Sequence, residues 1–257
     1  MAPPFIIVPA VPLSLPQSGN ILHHFDTTDI STLWQDAAGT MAVTSNGDDV
    51  KRIDNKGSSS EILTEEDVGQ FPVWNAAAGA VDFLGPGKTL NNTSVSGGAP
   101  TAPMSVAFLG YEIVDWQSTS LIAGFWATFN NMGLRNNQAG STSTSWEVHA
   151  FSTNSTDFTT LPTVLETPYS MVAWGNNDPE QKAWSSTEAA PISTTTAAVF
   201  PVDNQQFNMG ANANNGANGI DGRMREIIVW DNYQLTDADV EEIKLYDTDK
   251  HGTVWAV

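Results

Sequence analysis

Acid–base chemistry on a sugar needs two carboxylates facing across the scissile bond, one of them with a raised pKa. On an antiparallel strand such a pair reads as Glu-x-Asp-x-Glu or a near variant, because side chains alternate between faces. The sequence holds no such run. Its closest spacings are Asp237-x-Asp239 at a helix start, Asp247-x-Asp249 near the tail and Glu65-Glu66-Asp67 in an expected loop. A glycan-cleaving enzyme would therefore need acids converging from distant segments.

Other chemistries are tested in the same way. Gly85-Pro86-Gly87-Lys88-Thr89 half-matches a phosphate-cradling loop, but the first glycine of that pattern falls on Asp82, whose charge repels phosphate. The stretch reads as a surface turn. No Gly-x-Ser-x-Gly elbow is present. The four histidines, His23, His24, His149 and His251, show no zinc-ligand spacing, and each reads as a solvated or hydrogen-bonded structural residue. Calcium oxygens could come from Asp48 and Asp49 with Asp54, or from Asp178 with Glu180. EF-hand spacing is missing, so solvated acidic turns are favoured and no cofactor beyond that calcium option is expected. Among nine tryptophans, Trp34, Trp74, Trp146 and Trp230 sit in apolar patterns and read as core. Trp184 has the most loop-like setting, which makes it the candidate carbohydrate or partner contact.

The scaffold that must hold these residues is bounded by composition. At 257 residues the chain can bury a sizeable core. Only 15% of residues are charged, so solubility also rests on Asn, Ser, Thr and Gln. A net charge of −19 argues against nucleic acid or an anionic membrane as partner, since both demand a basic patch. Cysteine is absent, which excludes disulfides and thiolate chemistry.

Residues 1–20 read as a separate, extended arm. Prolines at 3, 4, 9, 12 and 16 forbid a helical signal segment, and the apolar run is too short to span a bilayer. Phe5, Ile6, Ile7, Val8, Val11, Leu13 and Leu15 must then lie on something, either their own domain or a neighbouring subunit. The second option makes them partner contacts.

From residue 21 to 257 the pattern is one of short strands. Aromatic and β-branched segments at 71–75, 80–84, 105–113, 121–129, 145–151, 170–174, 197–202 and 206–210 are separated by polar, Gly- and Pro-containing stretches at 91–103, 130–144 and 211–219. Asp26 to Trp34 supplies a short capped helical turn carrying Leu33 and Trp34 inward, and Asn46-Gly47 marks a turn. Near the C-terminus a strand over 223–231 carries Met224, Ile228 and Trp230 on one face and Ile227 and Val229 on the other. Thr236 and Asp239 form a capping box for a helix of about three turns that ends before Gly252, with Val240 and Ile243 as its buried seam. Glu226 and Asp231 read as edge and turn residues.

This order of segments resembles the concanavalin A-like or laminin G-like (LamG) jelly rolls encoded in bacteriophage genomes. The resemblance runs through the acidic turn at Asp26–Asp36, Gly47-Asp48 leading to Arg52-Ile53-Asp54-Asn55-Lys56, the Phe-centred Ala80-Val81-Asp82-Phe83-Leu84-Gly85, and the closing Asp221–Tyr246. The chain departs from that family at Pro86-Gly87-Lys88-Thr89, where relatives carry acids, so their calcium role is not carried over. The resemblance implies an all-β, concanavalin A-like jelly-roll β-sandwich with a short early helix and a C-terminal helix. It further implies a non-enzymatic virion structural protein, made in the host cytoplasm and placed on the particle surface. A capsid decoration protein is the first form of this expectation, its arm docked on major capsid or other virion proteins or on a homo-oligomer. A tail or fibre module binding a surface glycan is the alternative, and a glycan-cleaving enzyme is the third reading.

Overall fold

The computed structural model describes residues 13–65, 67–85, 87–92, 103–115, 120–126, 132–136, 146–149, 156–158, 166–175, 181–194, 206–210 and 221–256. Its strands in chain order begin with β1 (Ile21–Asp26), β2 (Leu33–Trp34), β3 (Arg52–Asp54), β4 (Ile62–Thr64), β5 (Val73–Asn75) and β6 (Ala80–Phe83). There follow β7 (Thr89–Asn91), β8 (Met104–Asp115), β9 (Ser120–Trp126), β10 (Met132–Asn136), β11 (Trp146–His149) and β12 (Thr156–Phe158). The last are β13 (Tyr169–Gly175), β14 (Gln181–Ser185), β15 (Ile192–Thr194), β16 (Gln206–Gly210), β17 (Asp221–Arg223) and β18 (Glu226–Trp230), before helix α1 (Asp237–His251).

These strands form two antiparallel sheets. One runs β15-β14-β13-β8-β17-β6-β5, with β18 also paired to β8 and β1 paired to β18. The other runs β12-β11-β10-β9-β16-β7-β4-β3-β2. The twelve-residue β8 is the spine of the first sheet, serving β13 along one edge and β18 then β17 along the other.

Alternation decides the layers. In β8, Val106 and Phe108 join the main core, which also takes Leu63 and Leu90 of the second sheet, while Ala107 and Leu109 join a second core. In β18, Ile227 and Val229 go to the first core, Ile228 and Trp230 to the second. The second core holds Val240 and Ile243 of α1, so the helix is the cover of that outer face. Strands buried on both faces carry continuous apolar runs for this reason.

The helix follows the expected cap. Thr236 Oγ1 accepts from the Asp239 amide, Asp239 accepts back from the Thr236 amide, and Gly252 closes the far end at φ 73°. It runs fifteen residues, one turn longer than expected. Met224 packs with Ile227 and Val229 rather than with Ile228, because the pairing breaks between β17 and β18 and shifts its face. Strand β10 lies inside the stretch read as a loop at 130–144, and β1 was not expected at all. The early helical turn is a single 3-10 turn at Ile30–Thr32, capped by Asp29. The expected strand at 197–202 lies outside the described residues.

Candidate functional site

Register alone brings two carboxylates together. Asp26 of β1 is the cross-strand partner of Glu226 of β18, on the face covered by α1. Like charges directly opposite each other destabilise a sheet unless cations intervene. Lys250, in the last turn of α1, supplies one: its Nζ lies 2.8 Å from Asp26 Oδ2 and 2.7 Å from Glu226 Oε1. Lys56 supplies another, 3.0 Å from Asp26 Oδ2 and 2.9 Å from Asp29 Oδ2.

Two imidazoles complete the cluster. His24 Nε2 donates to Glu226 Oε1 and His251 Nε2 to Glu226 Oε2, each at 2.7 Å, and Tyr246 donates its hydroxyl at 2.8 Å. Glu226 has no exposed surface. Burial pushes its carboxyl up, but the hydrogen bonds from His24 and His251 and the charge of Lys250 outweigh that and hold it well below the usual range. Asp26 behaves alike: burial and the Glu226 charge raise it, Lys250 and Thr28 lower it further, and the net direction is down. The pair is thus a pair of anions. The ring of His251 fits because Gly110 lies beneath it, where a Cβ would come within 2.8 Å of His251 Cγ and Arg225 Cδ.

Ligand atoms of His24, Asp26 and Glu226 lie within 4.8 Å of one another, close enough to hold a metal ion. The Lys250 ammonium already contacts both carboxylates there, so a divalent ion would have to displace it. The arrangement is an internal salt-bridge network with an imidazole at its edge.

That edge is open. A cleft of about 410 Å³ lies beside it, lined by Ser14, Ser18 and Ser58, by Leu15 and Ile21, and by His24 and Lys56. Its walls are tied down. The Ser58 amide donates to Ile21 O, the Lys56 amide to His24 O, and the Trp230 indole to Pro16 O at 3.0 Å. A second charged set lies on the first sheet at β6, β17 and β8. Arg223 bridges Asp82 and Glu112, and Arg225 also binds Glu112. Both carboxylates are clamped by guanidinium groups, which gives them a structural role.

The residues singled out from sequence fall as follows. Phe5, Ile6, Ile7, Val8 and Val11 lie outside the described residues. Leu13 is exposed, whereas Leu15 is half-buried against the second core and Pro16 is anchored by Trp230, so this end of the arm lies on its own domain. Trp184 is on β14 rather than in a loop. It packs on the second core, its indole donates to Glu188 O, and Lys244 Nζ stands 3.0 Å from its ring centroid. Of the calcium candidates, Asp48 accepts from the Thr44 and Ser45 amides, and Asp54 binds Arg52 and Trp34 Nε1. Asp178 and Glu180 lie outside the described residues. Glu226 is no edge residue but the centre of a buried network, and His24 and His251 are its partners.

No family model matches the sequence and no curated protein matches it. Solved structures do match the fold. A Trypanosoma rangeli sialidase aligns over 95% of this chain and 36% of its own, at 13% identity and a TM-score of 0.56. A GH54 α-L-arabinofuranosidase aligns over 94% of this chain and 65% of its own, at 12% identity and a TM-score of 0.61. An arabinofuranosidase complexed with arabinofuranosyl-α-1,2-xylobiose aligns over 77% and 51%, at 13% identity and a TM-score of 0.53. This chain therefore spans about a third of the sialidase and two thirds or less of the arabinofuranosidases. At such identities the likeness is one of fold, an antiparallel β-sandwich.

These neighbours correct the expectation of a non-enzymatic bacteriophage virion protein decorating a capsid. The fold recurs in glycan-cleaving enzymes, the third reading of the sequence, which lacked a strand-borne acidic run. Register, not local spacing, brings acids together across the sheet, as it does for Asp26 and Glu226, although Lys250 holds that pair as part of an internal network.

Proposed function

We propose that this protein acts on carbohydrate, as a concanavalin A-like, laminin G-like sandwich in the glycan-cleaving class. The observation that carries the reading is the open cleft beside His24. Three serines offer hydroxyls to a sugar's polar edge, Leu15 and Ile21 offer an apolar surface to its C–H face, and the volume falls within the ordinary range of ligand pockets. Backbone hydrogen bonds from both walls make the cleft preformed, which lowers the ordering cost of binding. The recurrence of the fold in a sialidase and in arabinofuranosidases supports the same reading.

Of the residues that line the cleft, His24 is the one that joins it to Glu226, and we assign it the proton-moving role. Glu226 is sealed from solvent and acts through His24, fixing the imidazole by the bond to Nε2. Glu226 is then a positioning residue. A glycan array followed by assay of new reducing ends tests the proposal. Wild-type protein should bind and release sugar. Ser58→Trp, which fills the cleft, should lose binding, and His24→Gln should keep binding but lose release. Absence of binding to any glycan would overturn the assignment.

A further inference from the structure

We infer that the saccharide accepted by this cleft is neutral, and that sugars bearing carboxylate, sulfate or phosphate groups are turned away. The inference rests on reading the cleft as a glycan site. Lys56 is the only Lys or Arg among the described residues that line it, and its ammonium is committed to Asp26 and Asp29. Both carboxylates stay ionised. Hydrogen bonds from Ser31 and Lys56 bring Asp29 down to about 2, and Asp26 is also lowered.

Behind Lys56 the balance is no more welcoming to an anion. Lys250 is shared by Asp26 and Glu226, so the Lys56 and Lys250 ammonium groups are both taken up by the three carboxylates of Asp26, Asp29 and Glu226. An acidic sugar entering here finds no uncommitted ammonium group, on a chain whose total charge is −19. A sugar carboxylate is ordinarily received by a free, bidentate arginine. Here Arg223, Arg225 and Arg52 are each bound to an acid of the protein, and none lines the cleft. The serines, by contrast, can donate to and accept from neutral hydroxyls equally.

The experiment is an affinity panel on the full chain at low and high salt. Neutral xylo-, arabino- and gluco-oligosaccharides are compared with sialyllactose, oligogalacturonate and a sulfated disaccharide. Neutral ligands should bind at least about tenfold more tightly, with little salt dependence. The variant Ser58→Arg, which adds an uncommitted cation at the cleft, should gain affinity for the acidic set, and that gain should fade with salt. Tighter binding of acidic sugars by the wild type, weakened by salt, would overturn the inference while leaving a glycan function standing. Binding of neither set would remove the glycan reading itself, and this inference with it.

Discussion

Asp26 and Glu226 are one cross-strand pair of carboxylates from opposite ends of the chain, and Lys250 Nζ bridges them at 2.8 and 2.7 Å. The first strand of the sandwich, the last strand and the closing helix are thereby fastened at one point. Tyr246, Lys250 and His251 come from the helix, His24 and Asp26 from β1, and Lys56 from the segment after β3. The site and the stability of the fold share these groups.

The first prediction follows from the burial of Glu226. In Glu226→Gln the two imidazoles and the Lys250 ammonium face an amide in place of a carboxylate. Removing one partner of a buried charge network costs roughly 3–5 kcal/mol. Urea unfolding at pH 7 should show a loss of that order. A loss below about 1 kcal/mol would mean that the network contributes little to holding α1 on the sheet.

Acid should have a matching effect. Glu226 and Asp26 are held below their ordinary values of 4.5 and 3.8. A lowered folded-state pKa gives stability that is complete above the unfolded value and is lost as pH falls through the folded one. Asp247 works in the opposite sense, since burial raises it above 3.8 and its protonation relieves a buried charge. The thermal midpoint should therefore change little down to about pH 5 and fall steeply below about 4.5. The steep part should be blunted in Glu226→Gln. An unchanged acid limb in that variant would place the sensitivity elsewhere.

Much of the sandwich was legible because its long strands and its helix carry local signals. The two-faced apolar run of β18, the Thr236–Asp239 box and the glycine stop at Gly252 need no tertiary information. The site was not legible. Strand β1 reads Ile-Leu-His-His-Phe-Asp, whose polar residues break the apolar pattern, and their partners lie about two hundred positions away. Strands β3, β4 and β7 are three residues long, too short for any period to register. Trp184 misled for a related reason. Its polar neighbours Gln181 and Lys182 suggested a loop, yet they belong to a strand near the sheet edge.

Trp184 is a packing residue, and its substitution should behave accordingly. One face carries Lys244, the indole nitrogen is bonded to Glu188 O, and the ring rests on the second core. Trp184→Ala should cost about 2 kcal/mol of stability, less than a fully buried tryptophan because the ring is only half-buried. Glycan binding by the folded variant should be unchanged. Lost binding at unchanged stability would return Trp184 to the role of a sugar platform.

A buried side-chain amide finds no partner among the described residues. Asn208 of β16 lies between Phe207 and Met209, both in the main core, so its side chain is on the other face of the second sheet. It is fully buried there, in register with Asn91 and Gly124, and neither its amide nitrogen nor its amide oxygen has a partner among the described residues. Burying an unbonded amide costs about 1–3 kcal/mol. Leucine has nearly the same shape without that cost, so Asn208→Leu should raise stability by about 1–2 kcal/mol, read as a higher urea midpoint at unchanged slope. A fall of more than about 1 kcal/mol would mean that the amide is bonded in solution, for example to a buried water.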